Sequence, residues 1–163
     1  MNAAQPISAI QSRFAPLKRF FKFTHLDASA TIVDDESVSL DWKCQELAEG
    51  LACYRRREFF AAHEHWESVW LRLNNPEKSF LQGLIQLTAA FHHLQAGNRA
   101  GAVSLLRRVQ RKLEGRPADF GGIAVAPLLA EVREWLHALE SDGRPIPPAF
   151  PEIRQGEGTG AEC

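Results

Sequence analysis

The stretch at residues 58–94, EFFAAHEHWESVWLRLNNPEKSFLQGLIQLTAAFHHL, leaves little freedom in what this chain can fold into. It reads as two helices broken at Asn74-Asn75-Pro76, where proline cannot continue a helix and asparagine favours its ends. In the second helix Phe80, Leu84, Leu87, Phe91 and Leu94 form one apolar stripe, and Leu81, Gly83, Ile85 and Ala90 fill its flanks. Only Gln82, Gln86, Ala89 and His93 interrupt the apolar surface, as a narrow strip on the opposite side. A helix this apolar around its circumference has to be wrapped by others, so it is expected at the centre of a bundle. The polar strip then either opens as a solvent window or meets the preceding helix.

In that preceding helix Phe59, Phe60, His63, Trp66, Glu67 and Trp70 recur at three- and four-residue spacing and share a face. His65 and Glu58 point the other way, and Glu64 lies at the margin. Around these two helices the pattern predicts three more. Asp41 as N-cap, with Cys44, Leu47, Leu51 and Tyr54 in helical period, predicts a first helix to about Arg56. Gly50 allows a neighbour close to it, and Arg55-Arg56-Arg57 complements the dipole at its end. Asn75 as cap, Pro76 at the first position and Glu77 in the first turn start the third helix, which stops at Gly97. Asn98 caps a fourth, with Ala102, Leu105, Leu106, Val109 and Leu113 inward and Arg107, Arg108, Arg111 and Lys112 outward. Gly115, Arg116 and Pro117 end it, and a Gly-containing loop over residues 119–124 leads to a fifth helix carrying Leu128, Val132, Trp135, Leu136 and Leu139.

The fold class read from this pattern is all-α: a five-helix bundle of two stacked helical hairpins plus a capping helix. The helical domain spans residues 39–141, after an arm at 1–38 and before a Pro/Gly-rich tail at 142–163 expected to be extended and mostly disordered. A faint repeat lays YRRREFFAAH over LQAGNRAGAV with a period of forty residues, a spacing that suits hairpins of the tetratricopeptide kind. The arm holds Arg13, Lys18, Arg19 and Lys22 interleaved with Phe14, Phe20, Phe21 and Phe23. Its preferred reading is a flexible segment whose phenylalanines fold back, with a targeting or membrane-surface segment as the alternative. No apolar run approaches the roughly 20 residues of a membrane span. Three cysteines, an odd number without a secretory signal, point to a reducing, cytoplasmic setting. Cys44 and Cys53, roughly 13 Å apart along one helix, are too distant to bridge.

The chemistry concentrates at His63-Glu64-His65-Trp66-Glu67. This segment departs from the zinc-protease H-E-x-x-H motif, because Glu67 stands where the second histidine belongs. A different site remains open: His63, Glu67 and His93 as ligands of a divalent transition metal, with Glu64 or a metal-bound water as base, in a hydrolase-like enzyme. Against it stands a structural His/Glu network fixing helix register, or a binding site for a protein or small-molecule ligand built from His63, Glu67, Gln82, Gln86 and His93. The leading expectation is a non-enzymatic binding or scaffold module. His92 and the tryptophans Trp42, Trp66, Trp70 and Trp135 read as packing residues.

Between Gly97 and Arg116 six basic residues face the single acid Glu114, yet a net charge of -1 gives no general pull on nucleic acid. That stripe reads as a solvated face balanced by Glu131, Glu134 and Glu140 on the next helix, so nucleic acid is a disfavoured partner. A homo-oligomer is compatible with everything above.

EFFAAHEHWESVW followed by FLQGLIQLTAAFHHLQAGNRAGAVSLL resembles the domain-of-unknown-function family 309, a small all-helical family of bacteria and archaea. The resemblance covers about residues 41–139. It implies a compact helical bundle, with Glu58, Phe59, His63, Glu64, Trp66, Glu67, Trp70, Gln82, Gly83, Gln86, Gly97, Asn98, Gly101 and Ala102 as signature positions. It implies no activity.

Overall fold

A computed structural model describes residues 40–141 and 143–156, so the expectations for residues 1–38 lie outside the described part. The described residues form five helices, α1 (Gln45–Arg55), α2 (Phe59–Trp70), α3 (Glu77–Gln95), α4 (Arg99–Leu113) and α5 (Val125–Glu140). A two-stranded ribbon, β1 (Asp119–Phe120) with β2 (Ile123–Ala124), precedes α5. The all-α expectation stands, with this ribbon added where a loop was expected. Gly121 and Gly122, at φ 58° and 76°, occupy left-handed backbone that tight hairpin turns require.

Two turns are built alike. Arg57 at φ 63° ends α1, with its N–H donating to Tyr54 O and the Glu58 N–H to Cys53 O. Gly97 at φ 77° ends α3, with its N–H donating to Leu94 O and the Asn98 N–H to His93 O. Both are left-handed caps that satisfy the last carbonyls of a helix. They fall at equivalent places in the forty-residue repeat, so the repeat records a shared turn geometry.

Successive helices run antiparallel, as their contacts show. Tyr54 meets Phe59 beside the first turn, whereas the Trp66 indole N–H reaches back to Leu47 O at 3.2 Å. A Cβ at Gly50 would collide with that indole, which is why glycine stands there. Phe60 lies against His92 at one end of the α2–α3 pair, and the Lys78 ammonium sits 4.8 Å from the Trp70 ring at the other. Gly83 of α3 admits Lys112 and Leu113 of α4, and Arg107 of α4 and Glu114 just after it pair with Glu140 and Arg133 of α5. α3 is central as its sequence demanded: Phe80, Leu81, Leu84, Leu87, Ala90 and Phe91 are all buried. No described helix is long and apolar enough to cross a membrane.

Two of the three capping expectations shift. Asp41 accepts from the Lys43 N–H within a turn, and α1 begins only at Gln45. Asn75 does not cap α3; Pro76 holds the cap position, and its carbonyl accepts from the Phe80 N–H. Asn98 does cap α4, its side-chain oxygen accepting from the Gly101 N–H at 2.9 Å.

The largest correction concerns the tail. Residues 149–156 run extended but lie packed on the helices: Pro151 and Ile153 are buried. Phe150 stacks on Trp135 at 5.3 Å and meets Phe59 and Phe91 edge-on, with the Arg57 guanidinium 5.0 Å from its ring. The Tyr54 hydroxyl donates to Pro151 O at 2.7 Å, and the Trp135 indole to Ala149 O at 2.9 Å. The Glu131 carboxylate accepts from the Glu152 N–H, and Gln155 bridges to Ile123. Buried aromatic O–H and N–H groups need acceptors, and a proline-rich strand has carbonyls to spare. Composition alone suggests disorder because it does not show those waiting donors.

Phe150→Ala is expected to lower stability by about 2–3 kcal/mol in urea unfolding followed by tryptophan fluorescence. Ile146→Ser, at a side chain 46% exposed in the same segment, should change it by less than about 0.5 kcal/mol.

Candidate functional site

The α2–α3 pair carries the residues singled out in the sequence. His63 projects inward from α2 and is 4% exposed, while Glu67, one turn on, keeps about half its side chain in water. Their closest approach, Nδ1 to Oε2, is 3.9 Å. Burial, reinforced by the neighbouring His92, pushes the His63 pKa down to about 4. A neutral ring at that distance forms neither an ion pair nor a hydrogen bond, so His63 and Glu67 are neighbours and not a charged couple.

Gln82 and Gln86 are half-buried along the polar strip of α3, and Ala89 between them and His93 is buried. Gln86 Oε1 is buried and accepts no hydrogen bond from the described residues. His93 departs from the expected cluster. Its Nδ1 lies 3.0 Å from Asn98 Nδ2, at the turn into α4. The Asn98 oxygen is occupied by the Gly101 N–H, so its amide nitrogen faces the ring and must donate. Nδ1 of His93 is therefore the acceptor, and burial lowers its pKa as well.

The histidine that approaches α2 is His92, in ring contact with Phe60 at 5.7 Å and close enough to His63 to affect its charge. Its own pKa is lowered by burial and by His93. Phe60 also departs from expectation: it is 48% exposed, at the rim of the face it was expected to help bury. Lys78, seven residues before Ile85 and fourteen before His92, lies on the same side of α3; that heptad spacing was the signal that could have found this face.

The proposed metal set is not assembled. Among the described residues no group of three His, Cys, Asp or Glu is placed to hold a metal ion. His93 is engaged at the turn, and Glu64, the candidate base, lies on the exposed side of α2. One residue turns a helix by about 100°, enough to carry Glu64 off the face of His63. His65 faces α1, 3.5 Å from Glu49.

Residues 47–105 match the family model described as Domain of unknown function (DUF309). The resemblance read from the sequence is shown over that segment. It contains α1 from Leu47, all of α2 and α3, and the start of α4, hence every candidate residue above. An uncharacterized protein of Aquifex aeolicus (strain VF5) is 28% identical over 100 residues, covering 61% of this chain. The match takes in 30% of that relative's length.

The buried neutral histidine makes a pH prediction. Unfolded, His63 takes a proton near pH 6.5; folded, it resists until about 4. Its contribution is therefore complete above the unfolded value and lost as pH falls between these limits, by roughly 3 kcal/mol. Urea unfolding of the protein and of His63→Leu at neutral pH and near the lower limit should show a smaller acid loss in the variant.

Proposed function

We propose that this chain is a non-enzymatic helical binding module whose α2–α3 face receives a segment of a partner protein. The observation that carries the reading is Gln86 Oε1, a carbonyl oxygen buried without a donor from the described residues. Leaving such a group unsatisfied costs about 1–3 kcal/mol, which an incoming N–H recovers. The same two helices also offer what a peptide segment needs: the half-exposed Phe60 ring as an apolar contact, Gln82 for a further hydrogen bond, and the half-exposed Glu67 carboxylate. His63 is held neutral, so it puts no buried charge behind this face. All of these positions fall inside the DUF309 segment. The cytoplasm is the proposed setting, in keeping with the free thiols of Cys44 and Cys53.

A photoreactive phenylalanine analogue at position 60 should give one discrete crosslinked species in cells producing the protein, and the same analogue at Ile146 should give none. Gln86→Leu should abolish the crosslink while keeping or raising Tm, because it removes a buried carbonyl without a donor. A crosslink absent at position 60, or one that survives Gln86→Leu, would refute the module.

A further inference from the structure

We propose that the groove between α4 and the end of α5 binds a compact ligand carrying a diphosphate group. Arg99, Arg107, Arg108 and Arg111 line this groove together with Ser104, and Glu140 is the one carboxylate among its lining residues. Of the balancing acids expected from the sequence, Glu140 does arrive and pairs with Arg107 at 2.7 Å, whereas Glu131 is turned away to Arg154 and the Glu152 N–H. Arg99 is held in place by the Leu139 carbonyl, which it meets through two nitrogens. Arg108 and Arg111 have no carboxylate at ion-pair distance among the described residues, whereas Arg56, Arg72, Arg133 and Arg154 each sit on one.

Like charges at three- and four-residue spacing destabilise a helix, so a convergent set of guanidinium groups calls for an anion. Ser104, Arg107, Arg108 and Arg111 stand at the spacing that makes one patch, roughly 10 Å along the helix axis. Guanidinium forks match phosphate oxygens in pairs, and the serine hydroxyl supplies one more donor. The patch spans two linked phosphates and not a strand. No aromatic side chain lines the groove to stack a base, and a net charge of -1 gives a long polyanion no wider attraction. The site also stands apart from the α2–α3 face: Arg107, Arg108 and Arg111 lie beyond the DUF309 match.

Calorimetric titration of the full chain with sodium pyrophosphate and, separately, with adenosine diphosphate at physiological salt tests this. Saturable binding is expected, weakened about tenfold or more in Arg108→Ala and in Arg111→Ala and unchanged in Arg133→Ala, whose guanidinium is committed to Glu114. Binding of pyrophosphate alone identifies a free diphosphate, and tighter binding of the nucleotide identifies an organic one. Absence of heat with both, binding that ignores Arg108 and Arg111, or binding of a short single-stranded RNA with neither diphosphate bound would overturn the proposal. Circular dichroism melts of the variants keep loss of folding separate from loss of ligand.

Discussion

Everything in the described structure follows from the need to cover α3. A helix apolar on nearly every side cannot rest on a single neighbour, because each uncovered stripe forfeits about 25 cal/mol for every Å² left in water. Several structures share the work. α2 covers the side of Lys78, Ile85 and His92, and α4 comes close over Gly83. The ribbon places Phe120 on Phe80, and the extended tail sets Phe150 on Phe91. Two of these covers are not helices, and both are what an all-helical reading omits.

Several of the polar atoms drawn inside by this wrapping are answered by backbone carbonyls. Tyr54, Trp66 and Trp135 each send a donor to one, and the Thr88 hydroxyl returns to Ile85 O within its own helix. His63 is accommodated by staying neutral. This arrangement explains why the tail docks where it does. Without residues 149–151, Tyr54 and Trp135 would lose their acceptors together, and the aromatic cluster beneath them would lose its lid. Gln86 stands out against that background as the buried oxygen left unanswered by the described residues.

Most of the helical frame was legible in the sequence, since it depends on local and periodic signals. The break at Pro76, the Asn98 cap and the close approach at Gly50 each follow from one residue type in one position, and the centrality of α3 from apolar residues around most of its circumference. The candidate site was legible only in part. Periodicity places a residue on a face but does not state how far along that face a neighbour extends, so Phe60 was assigned to the interior although its ring reaches the rim. Likewise, His92 and His93 differ by one step around the helix. Which of them meets α2 depends on the crossing geometry, and Asn98 captures the other through a turn that the spacing of α3 does not encode. The tail was the hardest to read, because its order comes from donors on α1 and α5 that are distant in sequence.

The two surfaces left for function differ in a way that electrostatics makes consequential. On the α2–α3 face most ionisable groups other than Glu67 are muted: His63 and His92 are held toward neutrality by burial, and Lys78 is folded over Trp70. A face of this kind is suited to contacts made by shape and directional hydrogen bonds more than by long-range charge. On the α4–α5 groove the charges are exposed and only partly compensated, so attraction there acts at a distance and weakens with salt. Because α4 has its inner stripe on α3 and its outer stripe in that groove, the two surfaces share a wall without sharing a residue.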